Sequence, residues 1–313
     1  LVPAIGEIGL RLAPREDGFV DTALDEESGG PLHWPDFRGR RGPGGKRPGR
    51  FRVLVLGDSF AWGYGVHAAD AWPLRLERRL ASARPDLDPE VVNWSRTGWN
   101  TEQAWRSVQP RLSSLDPDLV ILNFTLNDAE PTNMEARARL IEPLERRAPG
   151  AAPSQALYAH SVLYRLFWDR LENRRQRRAF VEYYEELFEG LAWQACLSAM
   201  SELRTAAGEQ GAPLLLVVFP VFDSQLDDPY SYRRLHDTVG GGARELDIPV
   251  LDLLGELRGV DARRLALTPF TDPHPSELAH RLAADLITRH LLGEGLVPVS
   301  TAGERRPVRE VSG

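Results

Sequence analysis

The sequence predicts an α/β protein with a parallel five-stranded sheet covered by helices on both faces. Three observations carry that expectation. The apolar run Val53-Leu54-Val55-Leu56 is continuous, as a strand buried on both faces must be, and it ends in Gly57-Asp58-Ser59-Phe60. From residue 51 onward such runs alternate with helical stretches, the pattern of parallel strands joined by crossover helices. Short polar motifs directly follow the strands, where an open α/β sheet holds its site.

Residues 1–50 read as an arm rather than a domain. Within it Ile5 to Leu12 is apolar but too short to span a bilayer, and Arg38 to Arg50 is a Gly/Pro/Arg-rich linker. The domain is expected over 51–295, followed by a tail at 296–313. Strands are expected at 51–57, 90–94, 118–124, 213–219 and 248–252, with helices at about 70–83, 101–113, 231–246 and 276–292. Between the third and fourth strands lies a long helical insertion, 129–208. Its stripe Tyr164, Phe167, Trp168, Leu171, Phe180, Tyr183, Tyr184, Leu187, Phe188, Leu191 has helical period and reads first as core packing. Because the insertion leaves the sheet just after Asn127, a lid or cleft wall is the second reading.

Composition fits a globular enzyme. The 313 residues are 42 % hydrophobic, enough for a full core, and one large domain is the expectation. With 38 basic against 45 acidic residues the formal charge is −7, which offers no footprint for nucleic acid. The basic run Asn173 to Arg178 reads as a solvated helix face. Cys196 stands alone, so no disulfide forms within the chain. No His/Cys/carboxylate cluster has metal-ligand spacing, and no cofactor is expected. Gly63-x-Gly65 lacks the third glycine and the acidic partner of a dinucleotide fingerprint. Those glycines are expected to keep the loop behind Ser59 low enough for a substrate to enter.

Four blocks stand where acyl-transfer chemistry needs them. Gly57-Asp58-Ser59 ends the first strand, and Asn93-Trp94-Ser95-Arg96-Thr97-Gly98-Trp99-Asn100-Thr101 follows the second. Thr125-Leu126-Asn127-Asp128 follows the third, and Thr271-Asp272-Pro273-His274-Pro275-Ser276 precedes the last helix. Taken alone, Ser59 would read as a turn serine capping the next helix. Taken together, the set resembles the GDSL-type (SGNH) hydrolase superfamily over roughly residues 51 to 292. The resemblance implies a three-layer α/β/α, flavodoxin-like fold and a serine hydrolase, with Ser59, Gly98, Asn127 and His274 as the four namesake residues.

The chemistry asks for the same residue types. Acyl transfer needs a nucleophile, a base for its proton, and donors aimed at the oxygen that becomes negative. Ser59 suits the first task and His274, whose imidazole titrates near neutrality, the second. The oxyanion hole is expected from the N–H groups of Ser59 and Gly98 and the side-chain amide of Asn127. A glycine suits Gly98's task because it lets a backbone N–H approach a ligand closely.

The third member departs from the family pattern. The usual spacing is Asp-x-x-His, but Thr271 stands three before His274, and the carboxylate is Asp272, two before it. Asp272 is assigned as the orienting group, with a dyad oriented by a backbone carbonyl as the alternative. His280 on the final helix reads as packing or surface. His67, His160, His236 and His290 are scattered without ligand spacing, and His33 falls in the arm.

The expected function is a serine esterase acting through an acyl-enzyme on short O-acyl groups of a small molecule or glycan. The alternatives are an O-acyltransferase on a carbohydrate or cell-envelope glycan, and a non-catalytic binding protein on the same fold. A Gly-Glu-x-x-Leu-Arg segment like Gly6 to Arg11 follows a membrane-spanning helix in many bacterial members. The resemblance thus implies a tether upstream of Leu1 and an extracytoplasmic location. A plain leader on a cytoplasmic enzyme is the alternative.

Overall fold

The computed structural model describes residues 46–133, 154–227, 229–269 and 272–298. Ile5 to Leu12, His33, Thr271, most of the expected arm and tail, and 134–153 of the insertion lie outside the described residues.

Five parallel strands form the central sheet: β1 Arg52–Gly57, β2 Glu90–Ser95, β3 Leu119–Phe124, β4 Leu214–Val218 and β5 Val250–Asp252. Their spatial order is β2-β1-β3-β4-β5, the flavodoxin-like winding, which puts a switch point at β1/β3. Every residue of β1, β3 and β4 is buried, which explains why these runs are apolar without alternation. On one face α2 (Trp72–Ala83) packs on the final helix α11 (Glu277–Gly293). On the other, α3 (Thr101–Val108) packs on α7 (Leu191–Glu209). The three layers expected from the sequence are present.

At its start the sheet is anchored by Arg52, 1 % exposed, whose guanidinium pairs with Glu90 and donates to the Leu115 carbonyl at 2.6 Å. A buried charge of this kind is tolerable only when paired and hydrogen-bonded, as here.

Two expectations need correction. The helix expected over 101–113 stops at Val108, turns through a 3-10 segment at Gln109–Arg111, and resumes as α4 (Leu112–Leu115). Pro110 explains the break, since it has no N–H to continue the ladder. The block around His274, for which no strand is expected from the sequence, is paired. Ala266–Thr268 (β6) and Asp272–Pro275 (β7) form a separate two-stranded antiparallel hairpin.

The insertion contributes α5 (Gln155–His160), the long α6 (Val162–Glu189) and α7. Its aromatic stripe divides in two. Tyr183, Leu187 and Phe188 are buried, and Phe188 and Trp193 close on Phe124 of β3 at centroid distances of 6.5 and 6.3 Å. Phe167 and Leu191, by contrast, are exposed at 65 % and 89 %. Core packing therefore describes the stripe at Tyr183, Leu187 and Phe188 but not at its end, Leu191, while α6 also lies against α5.

His280 is fully buried, and its Nδ1 accepts the Trp72 N–H at 3.3 Å, capping the start of α2 from α11. It packs, as expected.

Candidate active site

The site gathers at the carboxyl ends of β1, β2 and β3. Ser59 opens the short helix α1 (Ser59–Trp62), and Asp58 caps it by accepting the Phe60 N–H at 2.9 Å. As the first residue of that helix, Ser59 has no intrahelical acceptor for its N–H. The residue is buried, at 8 % exposure.

The hairpin carries His274 across to it. His274 Nε2 lies 3.0 Å from Ser59 Oγ, and His274 Nδ1 lies 2.6 Å from Asp272 Oδ1. The same Asp272 oxygen accepts the His274 backbone N–H at 3.0 Å. Burial pushes the Asp272 carboxyl up, but hydrogen bonds from His274 and its charge hold it below the ordinary value. Tyr64 packs a tilted ring on His274 at 4.6 Å, and Phe60 packs another at 5.4 Å. Burial, then the nearby Asp272 charge, pushes the Tyr64 hydroxyl up.

Gly98 sits at φ +78°, in the left-handed region, inside a turn closed by Trp99 N–H to Arg96 O at 3.3 Å. Arg96 N–H in turn donates to Gly57 O at 3.2 Å, tying this turn to the strand end that carries Ser59. Among the described residues the Gly98 N–H has no acceptor. A Cβ placed there would meet nothing within 4 Å, so the glycine serves the backbone angle rather than close packing.

Asn127 lies half-buried on the 3-10 turn Leu126–Ala129 that follows β3. Its Oδ1 accepts from the Thr125 hydroxyl, and its amide also neighbours Asp58.

Behind these groups runs a buried polar web that the sequence blocks do not announce. Thr125 Oγ1 lies 2.8 Å from Asp58 Oδ2 and 3.2 Å from Asp128 Oδ2. Thr101 Oγ1 donates to Asp128 Oδ1 at 3.0 Å, and Asn123 Nδ2 donates to Asp58 Oδ1 at 3.2 Å. The web joins the Ser59, Gly98–Thr101 and Asn127 blocks below the surface. Asp58 and Asp128 are both 1 % exposed, and burial pushes both carboxyls up. The signal for it was an aspartate beside each of Ser59 and Asn127; only the fold shows that the two face one threonine.

The remaining histidines lie elsewhere. His236, on α8 (Arg233–Glu245), holds Asp252 at 3.0 Å at the end of the edge strand β5, and no described group of three His, Cys or carboxylate side chains could hold a metal ion. A hollow of about 480 Å³ between α3 and α7, lined by Trp105, Leu112, Glu202 and Thr205, contains none of the four block residues.

Serine, imidazole and carboxylate thus lie in a row within hydrogen-bond reach of one another, beside the carboxyl end of β1. The family model described as GDSL-like Lipase/Acylhydrolase matches residues 55–282, and the chain belongs to that family. Solved structures are similar to the chain at low identity. TesA is 16 % identical, with 79 % of this chain and 99 % of that one covered and a TM-score of 0.46. LAE5, an alpha/beta hydrolase enzyme from the metagenome of Lake Arreo, Spain, is also 16 % identical, with 82 % and 100 % covered and a TM-score of 0.48. A two-domain esterase (CEX) active on acetylated mannans is 16 % identical, with 78 % and 49 % covered and a TM-score of 0.45. No curated protein matches the sequence.

Proposed function

We propose that this chain is a serine esterase that hydrolyses short O-acyl esters of a small molecule or glycan through an acyl-enzyme on Ser59. The observation that carries the reading is the 3.0 Å contact of His274 Nε2 with Ser59 Oγ, backed by Asp272 on Nδ1. In the first half-reaction Ser59 Oγ attacks the ester carbonyl carbon while His274 takes the hydroxyl proton. Asp272 keeps the ring in the tautomer with Nδ1 protonated and stabilises the imidazolium. The oxygen that gains charge is received by the Ser59 and Gly98 N–H groups and the Asn127 amide. His274 then protonates the departing alcohol, leaving the acyl group on Ser59. In the second half a water, deprotonated by His274, releases the acid and restores Ser59.

The insertion supplies one wall of the approach. Tyr183 of α6 donates to Glu130 Oε1 at 2.9 Å, just past the Asn127 turn, and Arg177 donates to the Asp223 carbonyl at 3.0 Å, just past β4. Substrate choice then depends on α6 and on the loops it braces.

Intact-mass measurement after incubation with a panel of acyl donors tests this reading. It predicts a single adduct on Ser59 that water removes. Retention of the adduct until a glycan hydroxyl is supplied would favour the acyltransferase, and absence of any adduct would contradict both.

A further inference from the structure

Three oxygen atoms converge on one hydroxyl. Asp58 Oδ2 and Asp128 Oδ2 lie 2.8 and 3.2 Å from Thr125 Oγ1, and Asn127 Oδ1 lies against the same atom. A hydroxyl gives one proton and receives through two lone pairs. If both carboxyls were ionised, all three neighbours would be acceptors and one at most could be served. The Asn127 amide would then gain by turning over, placing its NH2 on Thr125. The two ends of an amide are set by just such partners. Turned that way, Asn127 would present a carbonyl to the developing oxyanion and repel it.

Asp58 is placed to prevent this. Its Oδ1 already accepts the Phe60 N–H at 2.9 Å and Asn123 Nδ2 at 3.2 Å, while its Oδ2 faces the Thr125 hydroxyl. Asp128 is different in its hydroxyl partner: Oδ2 takes the Thr125 N–H at 2.6 Å, and the Thr101 hydroxyl 3.0 Å from Oδ1 meets no second oxygen competing for its proton among the described residues.

We propose that Asp58 works as the neutral acid, donating from Oδ2 to Thr125 Oγ1, so that Thr125 gives its own proton to Asn127 Oδ1 and the Asn127 NH2 faces the oxyanion. Asp58 and Thr125 are thereby positioning residues for the oxyanion hole. The inference rests on the reading of Asn127 as an oxyanion donor.

The two carboxyls share charged surroundings. Asp58 faces His274, and Asp128 faces Asp58 and, from α7, Cys196. Burial pushes both carboxyls up, and repulsion by Asp58 pushes Asp128 up further. Repulsion favours a single proton on two close carboxyls without choosing its holder, and the hydrogen-bond pattern assigns it to Asp58. A positive charge on His274 during turnover opposes its protonation but is itself balanced by Asp272.

Two experiments on the full chain test the proposal. Asp58→Asn puts an amide of the same shape in place of the neutral acid and should keep most of kcat; the wild type should lose activity at alkaline pH as Asp58 ionises, and this variant should not. Thr125→Val should lower kcat by about 10²-fold with KM unchanged, and adding it to Asn127→Ala should cost little more than Asn127→Ala alone. Separately, in protein carrying ¹³C-labelled aspartate, the Cγ resonance missing from Asp58→Asn should stay at the neutral-acid position at pH 7. That measurement is independent of turnover. A carboxylate resonance for Asp58, or equal damage from Asp58→Asn and Asp58→Ala, would overturn the proposal. Fluorophosphonate labelling of Ser59, scored on the same samples, shows whether the acyl-enzyme reading has failed instead.

Discussion

Asp272 holds His274 twice with a single oxygen: Oδ1 lies 2.6 Å from the ring Nδ1 and accepts the His274 backbone N–H at 3.0 Å. The second contact is an Asx turn, in which an aspartate caps the N–H two residues on. It explains how a carboxylate two residues before the histidine reaches the ring that the family serves from three. The turn bends the chain by the missing residue, and the hairpin with β6 fixes the bend. A carbonyl-oriented dyad is not what this geometry provides.

The turn makes Asp272 costly to lose. Asp272→Asn should lower kcat far more than a surface substitution, because the charge that stabilises the imidazolium is gone. His274→Ala should be at least as damaging, and the double variant little worse than His274→Ala, since the two act as a unit. Steady-state kinetics of the three variants would show this; independent, multiplying losses would mean that Asp272 acts elsewhere.

Asp272 also leaves a mark on stability. Its folded carboxyl titrates below its unfolded value, so its contribution is present above about pH 4 and is lost as pH falls through the folded value. The difference in Tm between wild type and Asp272→Asn should accordingly be present at pH 7 and shrink below pH 4. A difference independent of pH would assign the loss to packing.

Much of this was legible beforehand. Continuous apolar runs located β1, β3 and β4 because burial on both faces leaves no room for alternation, and the four blocks named Ser59, Gly98, Asn127 and His274 because their chemistry is local. What was hidden depends on partners distant in sequence. Thr125 gave no signal alone, since its meaning lies in two aspartates, Asp58 and Asp128, that only the parallel pairing of β1 with β3 brings together. The hairpin was equally hidden: β6 and β7 are three and four residues long, too short for periodicity to register.

Asn127→Ala should reduce turnover by about 10²–10³-fold with little change in KM, because the lost donor acts on the transition state. A raised KM with unchanged kcat, read from saturation kinetics, would place Asn127 in ground-state recognition instead.

Gly65 links the nucleophile loop to the hairpin. It sits at φ +78°, and a Cβ there would come within 2.2 Å of Leu267 Cδ2 in β6. Gly65→Ala should therefore destabilise by about 1–2 kcal/mol from backbone strain alone. By pushing the Leu267 side chain out of its place on β6 it should also lower kcat through His274 in the paired strand. Chemical denaturation and kinetics on one preparation would show both effects; a change in neither would mean that the loop and hairpin move independently.

The central claim is that Ser59 is the nucleophile and His274 its base. The most direct measurement is fluorophosphonate labelling followed by peptide mass mapping, run beside hydrolysis of a short-chain activated ester. The wild type should be modified at Ser59 alone, and Ser59→Ala should remain folded, unlabelled and inactive. Labelling at another serine, or full activity in Ser59→Ala, would contradict the account.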